Sequence, residues 1–345
     1  MPARRKIAVV LLQLGGPDSQ EAVQPFLYNL FSDPDIFDIP LGFLLRKPFA
    51  KWIASRRAPK VAAHYAEIGG ASPLLPLTQA QAAALQRALE PHCDAQVLIA
   101  MRYWRPLTSE AVREVDAAKP DEIVLLPLYP QYSFATTGSS LNEWQRHCPH
   151  AGVPVRIVEH YCQHPLYIAA QAEKIAASLA QFDPARMPES HGVERTHLLF
   201  SAHGLPESFV RRGDPYQQMV EATVRLVMQH GGWRNPHSLC YQSKVGPQKW
   251  LEPSLHDAIH TLAHDGVKQV LVVPVSFVSE HIETLHEINI ETRQEAEQLG
   301  IRMFRMCPAL GDSPLFISCL ADLVLNAVGL RASDAAAVRK TAASS

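Results

Sequence analysis

Short runs of consecutive apolar residues recur along the chain and alternate with longer amphipathic stretches. Several runs, such as 123–126 and 270–273, contain only Val, Ile and Leu. Uninterrupted runs of this kind are typical of parallel strands buried on both faces of a sheet. The pattern predicts eight strands, at 6–14, 95–104, 122–130, 153–161, 197–203, 238–243, 268–277 and 303–309.

The stretches between these runs carry helix signals. One helix is predicted to begin at an N-cap Thr78 and to continue to Leu89, and another begins after Asp214-Pro215 and stops at 231–232, a pair of glycines. Strands that alternate with helices indicate βαβ units. We therefore predict an α/β fold of two doubly wound, Rossmann-like domains, each with a four-stranded parallel sheet flanked by helices.

A proline-rich stretch at 182–196 marks the predicted boundary between the domains. The first domain is assigned to 1–180, completed by a C-terminal helix at 312–330, and the second to 181–311. The alanine-rich tail 331–345 is expected to fray. In open α/β sheets the ligand lies beyond the carboxyl ends of the strands, so the active site is expected in a cleft between the domains.

Composition narrows the function classes. Lys and Arg together number 32 against 34 Asp and Glu, so the overall charge gives no indication of a nucleic-acid partner. The six cysteines form no CxxC pair, which argues against a disulfide framework and a structural zinc site. The basic N-terminus lacks the pattern of a signal peptide, and no apolar run approaches a membrane span. We expect a cytoplasmic protein.

Two polar segments follow predicted strands of the second half. His203 ends an apolar strand and is followed by a glycine, which exposes it at the sheet edge unless it is a core histidine bonded to a backbone carbonyl. Glu283, Glu287 and Glu291 are spaced four apart and are expected to line one helix face. An acidic first turn would explain Glu283 but not the later two. The alternative is a carboxylate route for protons or a divalent cation.

The spacing in this second segment does not fit a closed zinc site. His281 and Glu283 are two residues apart, so they would face different directions on a regular helix, and no HExxH motif is present. Any metal is therefore expected to be held loosely, as a transient substrate ion would be.

A basic and apolar segment at 39–66 contains no acidic residue. It is either an ordinary amphipathic helix with a solvated basic face or a lip that meets a membrane surface or an acidic, hydrophobic ligand.

A series of short motifs extends along almost the whole chain. They are 12–17 (LQLGGP), 68–73 (IGGASP), 102–103 (RY) with 106–108 (PLT), 129–133 (YPQYS) with 136–140 (TTGSS), 201–206 (SAHGLP), 212–216 (RGDPY), 242–247 (QSKVGP) and 279–285 (SEHIETL). In this order and at these separations, they specifically resemble the motifs of the ferrochelatase family. The resemblance implies a chelatase-type fold and insertion of Fe²⁺ into protoporphyrin IX to form protohaem, with release of two protons.

The resemblance also implies roles for individual residues. His203 and Glu283 are implied as the catalytic pair and the iron-binding positions. The residues implied to bind the porphyrin are Leu14, Arg57, Tyr65, Ser72, Arg102, Tyr103 and Phe277. Those implied to form a proton or metal path are Glu280, His281, Glu287 and Glu291.

Two departures from parts of the family refine this prediction. Some members of the family carry an iron–sulfur cluster bound by clustered cysteines, often in a C-terminal extension, whereas only Cys307 and Cys319 lie late in this chain. We therefore expect no iron–sulfur cluster and no permanently bound cofactor, with Fe²⁺ as substrate only. Relatives that act on coproporphyrin have a tyrosine where this chain has Leu14, which favours protoporphyrin IX. We further expect a monomer that contacts the inner face of the membrane through 39–60. The alternatives are a cobalt or nickel chelatase for another tetrapyrrole and a non-catalytic porphyrin or haem carrier.

Overall fold

The computed structural model describes residues 4–36, 42–148, 152–182, 195–244 and 248–330. Each of the eight predicted runs overlaps a strand, and most strands are shorter than the run that predicted them. The strands are β1 Lys6–Gln13, β2 Asp94–Met101, β3 Glu122–Pro127, β4 Val155–Ile157, β5 His197–His203, β6 His237–Gln242, β7 Gln269–Pro274 and β8 Met303–Met306.

The strands form two all-parallel sheets of the same topology. The first has the order β2-β1-β3-β4 and the second β6-β5-β7-β8. The central strands β1, β3, β5 and β7 are almost completely buried because helices cover both faces. The prediction of two doubly wound four-stranded domains is confirmed.

Eleven α-helices and two π-helices connect the described strands. The α-helices are α1 Val23–Phe31, α2 Gly42–Glu67, α3 Leu74–Leu89, α4 Thr108–Ala118, α5 Ser139–His147, α6 Pro165–Leu179, α7 Glu207–Arg211, α8 Tyr216–Gly231, α9 Leu255–His264, α10 Arg293–Gln298 and α11 Pro314–Ala327. A short π-helix, Phe134–Gly138, precedes α5, and the long one, Glu283–Thr292, called the π-helix below, runs directly into α10.

Two helix ends test the capping predictions. The stop at the paired glycines is confirmed, because Gly232 caps α8 in the left-handed conformation with φ 63°. The predicted N-cap at Thr78 is wrong, since α3 already begins at Leu74. Thr78 is a buried residue inside the helix, and its hydroxyl donates to the carbonyl oxygen of Leu74 at 2.7 Å. Pro76 is accommodated in the first turn, where its missing N–H is not needed.

One continuous hydrophobic core joins the two sheets. It includes Val9 and Leu126 of the first sheet, Phe200 and Val273 of the second, and Leu320 of α11. Helix α11 packs against α3 and α6, which is the arrangement expected if it completes the first domain. The boundary near 180 stays a proposal, because most of the predicted connection lies outside the described residues. The tail 331–345 also lies outside them.

Candidate active site

His203 is the last residue of β5, at the carboxyl edge of the second sheet. Its backbone N–H donates to Ser276 Oγ at 3.0 Å, and its carbonyl accepts from the Tyr216 hydroxyl at 3.1 Å. The next residue, Gly204, lies so close to β6 that an added Cβ would stand 2.6 Å from the carbonyl oxygen of Gln242. The glycine therefore allows β5 to end against its neighbour and present the histidine at the rim.

His203 pairs with Glu283, the first residue of the π-helix. The distance between His203 Nδ1 and Glu283 Oε2 is 2.9 Å, and the side chains are 40% and 23% exposed. Burial opposes both charges, yet the charge of Glu283 and its hydrogen bond raise the pKa of His203. Burial likewise opposes ionisation of Glu283, but His203 and His281 hold its pKa well below the usual value. The ion pair weakens as pH falls through the lowered pKa of Glu283, and also as pH rises through the raised pKa of His203.

The segment after β7 was predicted as a regular α-helix, and this is wrong. Glu283–Thr292 is a π-helix, in which the backbone hydrogen bonds span five residues instead of the four of an α-helix. His281 precedes this helix, and its carbonyl oxygen accepts from the Leu285 N–H at 2.9 Å. Its Nε2 lies 3.6 Å from Glu283 Oε2, whereas the sequence spacing had placed the two side chains in different directions. The Phe277 ring lies 4.3 Å from that of His281 and 6.3 Å from that of His203, measured between centroids.

Glu287 lies behind the pair and is held by the loop after β6. Ser243 donates its backbone N–H and its hydroxyl to the two Glu287 oxygens, at 2.8 and 2.5 Å. Ser243 does so from a left-handed φ of 67°, a conformation that few non-glycine residues adopt. Burial, followed by the charge of Glu283, raises the pKa of Glu287. The site thus combines one carboxyl group that stays ionised with a second that takes up protons more readily.

The remaining two predicted path residues lie on either side of this centre. Glu291 is exposed, and its Oε2 lies 3.6 Å from Nδ1 of the buried His286. His286 in turn stacks on His64 of α2 with 4.0 Å between ring centroids. Glu280 uses both oxygens structurally, accepting from the Ala309 N–H at 2.7 Å and from the Thr284 hydroxyl at 2.5 Å. Its place on a path stays a prediction.

The first domain contributes Tyr65 and Ser72, which lie opposite the π-helix that begins at Glu283. An added Cβ on Gly16 would stand 2.4 Å from Ser72 Oγ and 3.9 Å from the Tyr65 hydroxyl, which places the three residues together. Burial, then the charge of Glu283, raises the pKa of Tyr65, while a hydrogen bond with Ser72 opposes the rise. Leu14 packs partly buried in the same apolar cluster as Tyr65.

Arg102 and Tyr103 lie behind this surface, around a residue that the sequence analysis missed. The carboxylate of Asp33 is fully buried and pairs with Arg102 Nη2 at 3.0 Å. It also accepts from the hydroxyls of Tyr103 at 2.5 Å and Ser139 at 2.6 Å. Tyr103 is 1% exposed, so it supports the wall of the site from within rather than offering its ring to a ligand. Nothing in the spacing around Asp33 marked it as buried.

Helix α2 forms the outer side of the site and carries the predicted lip. Arg57 is half-buried, with its guanidinium 5.7 Å from the centroid of the Phe31 ring. Leu44, Leu45, Phe49 and Trp52 are exposed apolar side chains on the first half of the helix. Residues 37–41 and the Phe43 side chain fall outside the described part. In the portion that is described, no helix has the length and apolarity needed to cross a bilayer.

Comparison with known proteins identifies the family of this chain. The sequence model of the Ferrochelatase family matches residues 6–328. A ferrochelatase of Geotalea daltonii is 49% identical over 327 residues, covering 94% of this chain and 98% of the relative. One from Gloeobacter violaceus is 46% identical and covers the same shares. The SirB protein of Bacillus subtilis, solved with Fe³⁺, is similar in fold alone, with a TM-score of 0.53, 11% identity and coverage of 96% and 98%. The chain belongs to the ferrochelatase family.

Proposed function

We infer that this chain is a lyase that inserts Fe²⁺ into protoporphyrin IX, the step that forms protohaem. The observation that carries the mechanism is the contact of 2.9 Å between His203 and Glu283, with the proton-accepting Glu287 behind it. A free-base porphyrin must lose two inner protons before a divalent ion fits between its nitrogens. A base and an anionic relay at one edge of a cleft are suited to that reaction.

We propose that His203 accepts a porphyrin proton on Nε2. Nδ1 lies within hydrogen-bond distance of Glu283, so the neutral ring would donate a hydrogen bond from its Nδ1–H to that carboxylate. The Nε2 lone pair is then free for the substrate. Because Glu283 raises the pKa of His203, the neutral ring is a stronger proton acceptor than a free imidazole. Glu287, whose pKa is also raised, is the group proposed to take that proton onward toward Glu291.

We propose that the porphyrin is held by Tyr65, Ser72 and Leu14 on one side and by Phe277 on the other. Arg57 suits a propionate, since a guanidinium fork binds two carboxylate oxygens. Binding energy from the ring faces and propionates would support bending of the macrocycle, which exposes its nitrogen lone pairs. Arg102 and Tyr103 act through Asp33 by fixing the wall behind these contacts.

We further propose that the exposed apolar residues of α2 meet the membrane where the hydrophobic substrate and product are exchanged. Basic side chains at 46, 47, 51, 56 and 60 would favour an anionic leaflet. We propose that the protein lies in the cytoplasm with a peripheral contact on the inner face of the membrane. We propose that the enzyme works as a monomer without an iron–sulfur cluster. Among the described residues, neither of the side-chain groups with metal-ligand spacing contains a cysteine.

The test is anaerobic mixing of the protein with protoporphyrin IX and Fe²⁺, followed by loss of porphyrin fluorescence. His203→Ala and Glu283→Gln should each slow insertion by about 100-fold or more while still binding porphyrin. His230→Ala, which removes an exposed histidine at the end of α8, is the matched control and should match wild type. Binding without insertion by the wild-type protein would instead indicate a carrier, and insertion of Co²⁺ or Ni²⁺ but not Fe²⁺ would indicate another chelatase.

A further inference from the structure

A second group of metal-ligating side chains lies on the surface of the second domain, away from the His203–Glu283 centre. His256 and His260 are four residues apart on α9, and Glu295 reaches them from α10. Glu295 Oε1 lies 2.6 Å from His256 Nδ1 and 2.9 Å from His260 Nε2. All three ligand atoms fall within 4.8 Å of one another. Two histidines one turn apart on a helix face, joined by a carboxylate, are a common arrangement for binding Zn²⁺.

The dimensions of the group fit a small dication after a minor adjustment. Bonds of about 2.0–2.1 Å in a tetrahedron separate ligand atoms by about 3.4 Å. Glu295 therefore needs to withdraw by less than ~1 Å for an ion to enter between it and the imidazoles. The histidine side chains are 64% and 47% exposed, so water can complete the coordination. Two nitrogens and one oxygen suit borderline ions such as Zn²⁺, Co²⁺ and Ni²⁺ better than Mg²⁺ or Ca²⁺.

We propose that His256, His260 and Glu295 form a surface site for a borderline transition-metal dication, separate from the site of iron insertion. An ion held there links α9 to α10. Because α10 continues the π-helix without a break, the same ion fixes the far end of the helix that carries Glu283 and Glu287. Binding of the ion thus restrains the π-helix from its C-terminal end, and the ion does not contact the porphyrin.

The test is Zn²⁺ binding to the full-length protein without porphyrin, measured by equilibrium dialysis. His260→Ala and Glu295→Gln should each lower the Zn²⁺ affinity of one site by at least about tenfold. Loss of a residue that only hydrogen-bonds to a metal ligand already lowers metal affinity by about this factor, and these two residues are proposed as ligands themselves. The matched control is His264→Ala, one turn further along α9, where the side chain is 90% exposed. It should bind Zn²⁺ as wild type does. Equal stoichiometry and affinity in all four proteins would overturn the proposal.

Hydrogen exchange supplies a second readout that separates this site from Zn²⁺ binding at the active centre. Zn²⁺ should slow exchange of the backbone amides of α10 in wild type and in His264→Ala but not in His260→Ala. Iron insertion by His260→Ala in the absence of Zn²⁺ should equal that of wild type, since the residue is remote from the reacting atoms. Equal protection of α10 in His260→Ala would show that Zn²⁺ acts from elsewhere and would also overturn the proposal.

Discussion

Replacing Asp33 by alanine is expected to destabilise the protein by about 4 kcal/mol. Removal of one partner from a buried ion pair costs about 3–5 kcal/mol, because the other charge stays buried. Arg102 would retain two acidic neighbours, Glu143 at 3.6 Å and Asp35 at 4.0 Å. The cost of leaving its charge without Asp33 is therefore taken as about 3 kcal/mol, the lower limit of that range. The Tyr103 hydroxyl would lose its acceptor inside the core, which adds about 1 kcal/mol.

Urea unfolding followed by tryptophan fluorescence and circular dichroism measures this cost by linear extrapolation. Arg146→Ala is the matched control, since Arg146 belongs to the same cluster but is 41% exposed and should contribute less than about 1 kcal/mol. Tyr103→Phe isolates the hydroxyl and should cost about 1 kcal/mol. If Asp33→Ala and Arg146→Ala unfold at the same urea concentration, the buried network does not stabilise the wall of the site.

Three further predictions concern the site directly. In Glu283→Gln, the His203 imidazole should titrate at lower pH than in wild type by NMR, because the larger of the two charges that oppose burial is removed and only that of Glu287 stays; an unchanged or higher midpoint would refute this. Gly16→Ala should weaken protoporphyrin binding in a fluorescence titration, since the new methyl group displaces Ser72, and an unchanged affinity would contradict its contact with the ligand. Trp52→Ser should reduce co-sedimentation with anionic vesicles, and equal binding would exclude this lip as the contact.

The sheets were predictable because a strand that is buried on both faces accommodates almost only apolar residues. Val9, Val124 and Val272 lie in runs that satisfy this requirement without any help from distant partners. The ends of the strands were less predictable. Residues such as Tyr129 and Phe277 continue the apolar pattern past the last ladder bond, so the predicted strands were too long. The start of α3 was missed for a similar reason, since Thr78 has the chemistry of a cap but is placed by burial inside the helix.

The site was only partly predictable. His203 and the acidic residues carry chemistry that is visible in the sequence, and the structure brings His203, Glu283 and Glu287 together. The π-helix was not predictable from spacing, because the four-residue spacing of Glu283, Glu287 and Glu291 is equally compatible with an α-helix. Asp33 was missed because its partners come from the loop after β2 and from the start of α5, both distant along the chain, and only the folded structure shows that its carboxylate is buried.

The continuous core also sets the stiffness of the cleft. Packed protein interiors have low compressibility and transmit strain, so side chains shared by both sheets resist any separation of the two domains. In the proposed binding mode a flat macrocycle enters between the two domains, where packed side chains do not move apart at low energy. The deformation is therefore expected to fall on the substrate and not on the protein. Rigidity of the scaffold, rather than closure of a hinge, would then select the bent ring that a metal ion can enter.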